Sequence, residues 1–258
     1  MQIVKQSLVG DYYIPSADVI IVCDVMRSTA TQTAALTAGV ERLYLFDNEI
    51  EYIKNRKLVG VQYPVFSFVE QYPDNFETSE EVKYKTAKSY TDAITKNEPI
   101  IKYNISPTFV ASDEFKSEKY ASFYGNWQTN ILLSSFEAAK TVIAGGLINA
   151  DAVIEHVKSL KPSKVVLIVV GDPEFEKIAP HNELLADYFQ KALEDESLEK
   201  DVFMNEMRET LTFLLEGVAD EVLEDIEYCL QLDKMIAIPI LKKETIKKTD
   251  LIYLTTAK

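Results

Sequence analysis

The sequence predicts an α/β fold with helices packed on both faces of a largely parallel sheet. Three observations predict it. Two runs, 18–25 (DVIIVCDV) and 164–172 (KVVLIVVGD), are nearly continuous β-branched stretches, the pattern of strands covered on both faces. Between them, weaker strand patterns alternate with helical ones. No Gly/Pro/Ser-rich linker divides the 258 residues, so one domain over 1–258 is expected.

The strand at 18–25 runs into a helix that continues to Gly39 (RSTATQTAALTAG). RLYLF at 42–46 is a strand candidate before a polar helical stretch at 48–56. PIIKY at 99–103 is another, ending at Asn104. YASFY at 120–124 leads through Gly125 into a helix from about 128 to 140, and TVIAGG at 141–146 leads into a helix at 149–160. After Pro180 the pattern is helical, with candidates at 183–193, 198–217 and 220–231. Short strands at 236–241 and 250–255 follow. The polar, weakly periodic segment at 70–98 reads as a peripheral insertion.

The formal charge is −14 and the sequence pI about 4.7. Phosphate backbones and anionic membranes attract a basic footprint, so neither nucleic acid nor membrane is an expected partner. The first ten residues, MQIVKQSLVG, lack the apolar core of a signal peptide, and no apolar run approaches a bilayer-spanning length. Cys23 and Cys229 lie far apart in sequence, and reduced, buried thiols in a cytoplasmic protein are expected.

In open parallel sheets, ligands bind beyond the carboxyl ends of the strands. Four polar groups fall at such ends: Asp24 with Arg27, Ser28 and Thr29; Asn104 with Ser106; Asn126 with Gln128 and Thr129; and Asp172 with the loop to Glu183. Asp24 follows an apolar run, so its partly desolvated carboxylate needs a metal ion, a cation or backbone N–H groups. Arg27, one of four arginines in the chain, lies three residues on. Ser28 or Thr29 would cap the following helix, whose free N–H groups and dipole attract an anion. The plainer alternatives are an ordinary surface ion pair for Arg27, a turn and N-cap for Asn126, a core-edge cover for Trp127 and a favourable first-turn charge for Glu183.

Two histidines, His156 and His181, do not form a zinc pattern. His156 is expected to be a satisfied surface residue, whereas His181 shares a loop with Glu183. No phosphate-binding P-loop, dinucleotide fingerprint or serine-nucleophile elbow is present. Met26 occupies the second acidic position of a D-x-D aspartyl-phosphate motif, which sets that family aside.

These residues resemble the 2-phosphosulfolactate phosphatase (ComB) family. CDVMRSTATQTAALTAG at 23–39 is similar to its opening I-D-V-L-R-A-T-T-T signature and Ala-rich helix, and NISP at 104–107 to its N-S-P element with Ile105 inserted. YGNWQTN at 124–130 matches its T-T-N-G-T turn loosely, GGLINA at 145–150 its G-x-x-x-N-A, and Asn182–Glu183 its E-D pair. EDIEYCLQLDKMIAIPIL at 224–241 is similar to its D-x-x-x-C-x-x-x-D stretch, with Asp225, Cys229, Asp233 and Pro239 in register. The chain departs from the family in having eight glycines, fewer than the family's loops use, and in the altered turn.

The resemblance implies a three-layer α/β/α sandwich around a largely parallel or mixed sheet, magnesium, and hydrolysis of phosphate monoesters of 2-hydroxy acids. Carried onto this chain, Asp24 and Glu183 would hold Mg²⁺ and, with Arg27, perform catalysis. Ser28, Thr29, Asn104, Ser106 and Asn126 would bind the substrate. The expected partner is a small anionic phosphorylated molecule, 2-phosphosulfolactate or a related phospho-2-hydroxy acid, with self-association into a homo-oligomer left open. The alternative is a non-catalytic ComB-like protein that binds an anionic metabolite or a protein through the same cleft.

Overall fold

The computed structural model describes residues 1–9, 13–48, 51, 52, 54, 55, 58, 65, 66, 102–115, 119–124, 126–171, 177–215 and 220–257. The expected insertion at 70–98 lies outside these residues, as do Asp172 and Gly125. The strands are β1 (Gln2–Leu8), β2 (Ala17–Cys23), β3 (Arg42–Phe46), β4 (Val65–Phe66), β5 (Lys102–Tyr103), β6 (Tyr120–Tyr124), β7 (Ala139–Gly145), β8 (Lys164–Val170), β9 (Pro239–Ile246) and β10 (Thr249–Thr256). The helices are α1 (Ser28–Thr37), α2 (Pro107–Val110), α3 (Trp127–Ser135), α4 (Ala150–Leu160), α5 (Pro180–Leu193), α6 (Lys200–Leu215) and α7 (Asp220–Cys229).

All ten strands join one mixed sheet in the order β1-β8-β2-β7-β9-β10-β3-β6-β4-β5. The first four are mutually parallel, as are β3, β6, β4 and β5. Between the two parallel groups sits the antiparallel hairpin β9–β10. Its two-residue turn, Lys247 and Lys248, has positive φ at both positions (49° and 71°), the geometry that matches the twist of the flanking strands.

The side-chain alternation of β2 explains the three layers. Ile20 and Val22 point to one face, where α1 (Ala34, Ala35, Leu36) and α3 (Ile131, Leu132) cover them. Val19, Ile21 and Cys23 point to the other, against α4 (Val153, Val157), α5 (Leu185, Phe189), α6 (Met207, Leu211), α7 (Ile226) and Leu230 just after it. Each fully buried aliphatic side chain contributes roughly 1.5–3 kcal/mol, so this doubly covered strand is a strong anchor for whatever follows it. The chain is thus an α/β/α sandwich, as the sequence predicts.

Three elements differ from expectation. The edge strand β1 escapes the sequence pattern because Gln2, Lys5 and Gln6 interrupt its apolar positions, a tolerance that an edge allows. β9 begins at Pro239 and continues to Ile246, through the polar KKET run, because one face of that stretch remains exposed. The helix expected at 128–140 ends at Ser135, passes through a 3₁₀ turn at Phe136–Ala138, and yields to β7. Both cysteines are free and buried. Among the described residues, no helix is long and apolar enough to cross a membrane.

Candidate functional site

β2 terminates where Asp24 replaces the apolar run, although the backbone stays in register, Asp24 N donating to Gly145 O at 3.0 Å. The Asp24 side chain turns toward the start of α1, and Oδ2 accepts the backbone N–H of Thr29 at 2.9 Å. Asp24 is 4% exposed. Burial pushes its carboxyl up to about 7, against the opposing hydrogen bonds from the Thr29 backbone and side chain. Among the described residues, the interactions that favour its ionised form all come from Thr29, with no lysine or arginine contributing.

This geometry corrects one expectation. Neither Ser28 nor Thr29 caps α1. The position before the helix is Arg27, whose own side chain makes no capping bond, and Asp24 takes the first-turn N–H instead. A carboxylate reaching an orphan helix N–H does the same electrostatic work as a cap. The hydroxyls of Thr31 and Thr33 bond back to Arg27 O and Thr29 O, which leaves Ser28 available for a cross-helix contact.

That contact comes from Asn126, whose Nδ2 donates to Ser28 Oγ at 2.6 Å. Asn126 is also the N-cap of α3, its Oδ1 accepting Thr129 N at 2.6 Å. The turn-and-cap reading of Asn126 therefore holds, and the same side chain ties the starts of α1 and α3 together. Gln128 extends the tie. Its amide exchanges reciprocal hydrogen bonds with Gln32 (2.9 and 3.1 Å) and donates to Thr29 Oγ1 at 3.2 Å. Buried amides satisfied on both ends are rigid, because breaking one strands another. The sequence places Gln128 in the strand-end group with Asn126, but its pairing with Gln32, 96 residues away, leaves no local signal. Trp127 packs at the rim of the core on the α1 face.

Asn149, within GGLINA, accepts Gly146 N at 2.9 Å and donates to Ala144 O and Ala237 O. It thereby fixes the strand end beside Asp24. Gly146 itself has no room for a side chain: a Cβ there would sit 3.2 Å from Asp24 O and 3.1 Å from the Thr29 methyl. A glycine at this position lets β7 pass close to the β2–α1 turn.

The remaining predicted residues divide. Arg27 Nη1 donates to Asp225 Oδ2 at 3.1 Å, reaching from α1 to α7. Ser106 caps α2 and donates to the other oxygen of the same Asp225 at 2.7 Å. Asn104 is half-buried and accepts its neighbour's backbone N–H, from Ile105, at 2.8 Å.

Glu183 stands apart from its expected role as partner of Asp24 around one ion. Its carboxylate accepts a hydrogen bond from Ser7 on β1 and pairs with Lys5 at 3.0 Å. Burial alone would raise its pKa, but Ser7 and Lys5 outweigh it and hold the group below its ordinary value. The preceding residue, Asn182, is the one that reaches the Asp24 turn. It accepts Val25 N at 2.8 Å and donates to Val170 O at 2.7 Å. On a helix, adjacent residues face directions about 100° apart, so only one of the two can face the turn.

His181 is buried, its Nδ1 finds no hydrogen-bond partner among the described residues, and desolvation pulls its pKa down to about 4. His156 is half-buried and also lowered, by burial and then by Lys242.

Among the described residues, no three His, Cys, Asp or Glu side chains gather as a protein-built metal cage. Mg²⁺ does not need one, since it commonly takes one or two carboxylates and completes its octahedron with water and substrate phosphate oxygens. Asp24, a desolvated carboxylate without a counter-ion among the described residues, fits such a cation.

A family model described as 2-phosphosulpholactate phosphatase matches residues 102–244, more than half of the chain. The matched span contains Asn104, Ser106, Asn126, Glu183 and Asp225, whereas Asp24 and Arg27 precede it. No curated protein matches the chain.

Proposed function

Because the chain belongs to the 2-phosphosulpholactate phosphatase family, we propose that it hydrolyses a small anionic phosphomonoester, 2-phosphosulfolactate or a related phospho-2-hydroxy acid, with Mg²⁺. One observation carries this reading. At the end of β2, a buried carboxylate without a counter-ion among the described residues (Asp24), an arginine (Arg27) and the N-terminal turn of α1 lie within six residues, and the cross-helix bond from Asn126 ties that turn to α3.

In this mechanism Asp24 would hold Mg²⁺, which when bound would supply positive charge at the phosphoryl oxygens and activate a water. Arg27 neutralises the phosphoryl group from the other side, and an arginine suits that task because its planar donors match phosphate oxygens. Ser28, Thr29 and Asn126 form the wall against which the phosphate end rests, and their mutual hydrogen bonds keep them from reorganising during the reaction. Asn104 orients the carboxylate or sulfonate end. Ser106 acts indirectly, through Asp225. Glu183 fastens α5 to β1, which sets Asn182 against Val25 and thereby shapes the Asp24 turn.

The test is phosphate release by the purified protein, with Mg²⁺, from phosphoesters of 2-hydroxy acids. Inertness across a broad phosphomonoester panel would sink the reading. The second reading is a non-catalytic binder of an anionic metabolite or a protein. The engagement of Glu183 by Lys5 and Ser7 favours it, since it leaves Asp24 without the expected second carboxylate. Stabilisation in a thermal-shift screen by a phosphorylated metabolite that is never turned over would select it.

A further inference from the structure

The proposed reaction gives Asp225 no direct part, yet its carboxylate accepts four hydrogen bonds beside the β2–α1 turn. It sits on α7 one turn before Cys229, so both side chains project from the same face. That face docks on α1, where Cys229 and Tyr228 pack with Ala30 and Ile148, bordered by Met26 and Met235. The Asp225 side chain is 3% exposed. Its two oxygens divide their work. Oδ1 accepts from Ser106 Oγ (2.7 Å), Thr108 Oγ1 (2.5 Å) and Thr108 N (3.2 Å), while Oδ2 accepts Arg27 Nη1 at 3.1 Å.

A carboxylate that accepts three neutral donors on one oxygen cannot rotate, so its second oxygen is presented to Arg27 in a fixed direction. Arginine has a long side chain with many rotamers, and orienting it before the ligand arrives removes an ordering cost from binding. The arrangement also accounts for the spacing of the late D-x-x-x-C motif: the cysteine packs on α1 and the aspartate, one turn earlier, meets the arginine at its start.

We propose that Asp225 is a positioning residue that presents the Arg27 guanidinium to the substrate's phosphoryl group, with Ser106 and Thr108 holding Asp225 in place. The proposal rests on the phosphatase reading and extends it to a residue that does not touch the substrate.

The experiment is a double-mutant cycle on the full-length protein, read by KM and kcat on an active phosphomonoester and by calorimetric Kd for inorganic phosphate. Asp225→Asn puts an amide donor against the guanidinium, and KM and phosphate Kd are expected to rise at least about tenfold, with a smaller change in kcat. Combined with Arg27→Ala, the same substitution is expected to change phosphate Kd less than about twofold, because nothing remains to be positioned. Thr108→Val, a milder change suited to the case where Asp225→Asn does not fold, is expected to raise KM about threefold and to lose that effect when combined with Arg27→Ala. Losses that persist in full alongside Arg27→Ala would show a purely structural tie and overturn the proposal while leaving the phosphatase reading intact. A wild-type protein that neither turns over phosphomonoesters nor binds phosphate overturns both.

Discussion

The turn from β2 into α1 and the first turn of α5 each bring a carboxylate to the same end of the sheet, and they treat it in opposite ways. Asp24 is buried, receives only neutral donors (from Thr29) among the described residues, and has its pKa pushed up to about 7. Glu183 is part-exposed, paired with Lys5 and hydrogen-bonded by Ser7, and has its pKa lowered. Burial holds the first toward its neutral form, whereas the second is held ionised by a lysine of the fold. The contrast teaches that sharing a strand end does not make two acids equivalent. What separates them is whether the neighbouring strand supplies a lysine.

The largest test of this contrast is catalytic. Asp24→Asn is expected to lower phosphomonoester turnover by about a thousandfold, whereas Glu183→Gln lowers it by less than about fivefold, both measured at saturating Mg²⁺. Equal losses would erase the distinction between the two junctions.

The next test is pH, where the junctions pull stability in opposite directions. Asp24 has a folded-state pKa raised to about 7, so the folded protein binds the extra proton, and this group's contribution falls as pH rises from about 4 to about 7. His181, at the start of α5, has a folded-state pKa lowered to about 4, so its contribution is complete above about 6.5 and falls as pH drops through that range. The His181 shift corresponds to about 3 kcal/mol when fully expressed. Melting curves without added metal should therefore flatten on the alkaline side in Asp24→Asn and on the acid side in His181→Gln.

Smaller effects sharpen the picture. Asn126→Ala removes both the α3 cap and the bond to Ser28 and is expected to cost about 1–2 kcal/mol in denaturant unfolding, with activity falling alongside. Lys5→Met breaks two part-exposed pairs, with Glu183 and Asp187, and is expected to cost about 1 kcal/mol while raising the pKa of Glu183, observable by carboxyl-carbon NMR.

The β2–α1 half of the site was legible because its signals are local: a β-branched run, an acid at its end, and an arginine and hydroxyls within five residues. The same locality exposed the alternating strands and helices. The Asp225–Arg27 pair joins residues 198 apart, and the Gln32–Gln128 amides 96 apart, so neither leaves a periodic trace. Ser106 was placed near the site from its motif but given to the substrate, whereas its hydroxyl goes to Asp225. The contacts of Glu183 with Lys5 and Ser7 leave no trace in the sequence for a related reason: both belong to β1, an edge strand with a mixed pattern. The β9–β10 hairpin was foreseen as two short strands, but its lysine turn lacks the Asn-Gly signature that would have joined them.

The placement of that hairpin also bears on how the molecule is made. Residues 239–256 fill the middle of the sheet, between β7 and β3. Every other strand precedes this hairpin in sequence, so the two parallel groups can join only after residues 239–256 have been made. Such late, long-range closure slows folding and leaves sticky strand edges open in the meantime. Slow refolding, and poorer tolerance of deleting residues 239–256 than of deleting the outermost strand β1, are the expected signs of a sheet completed from its centre.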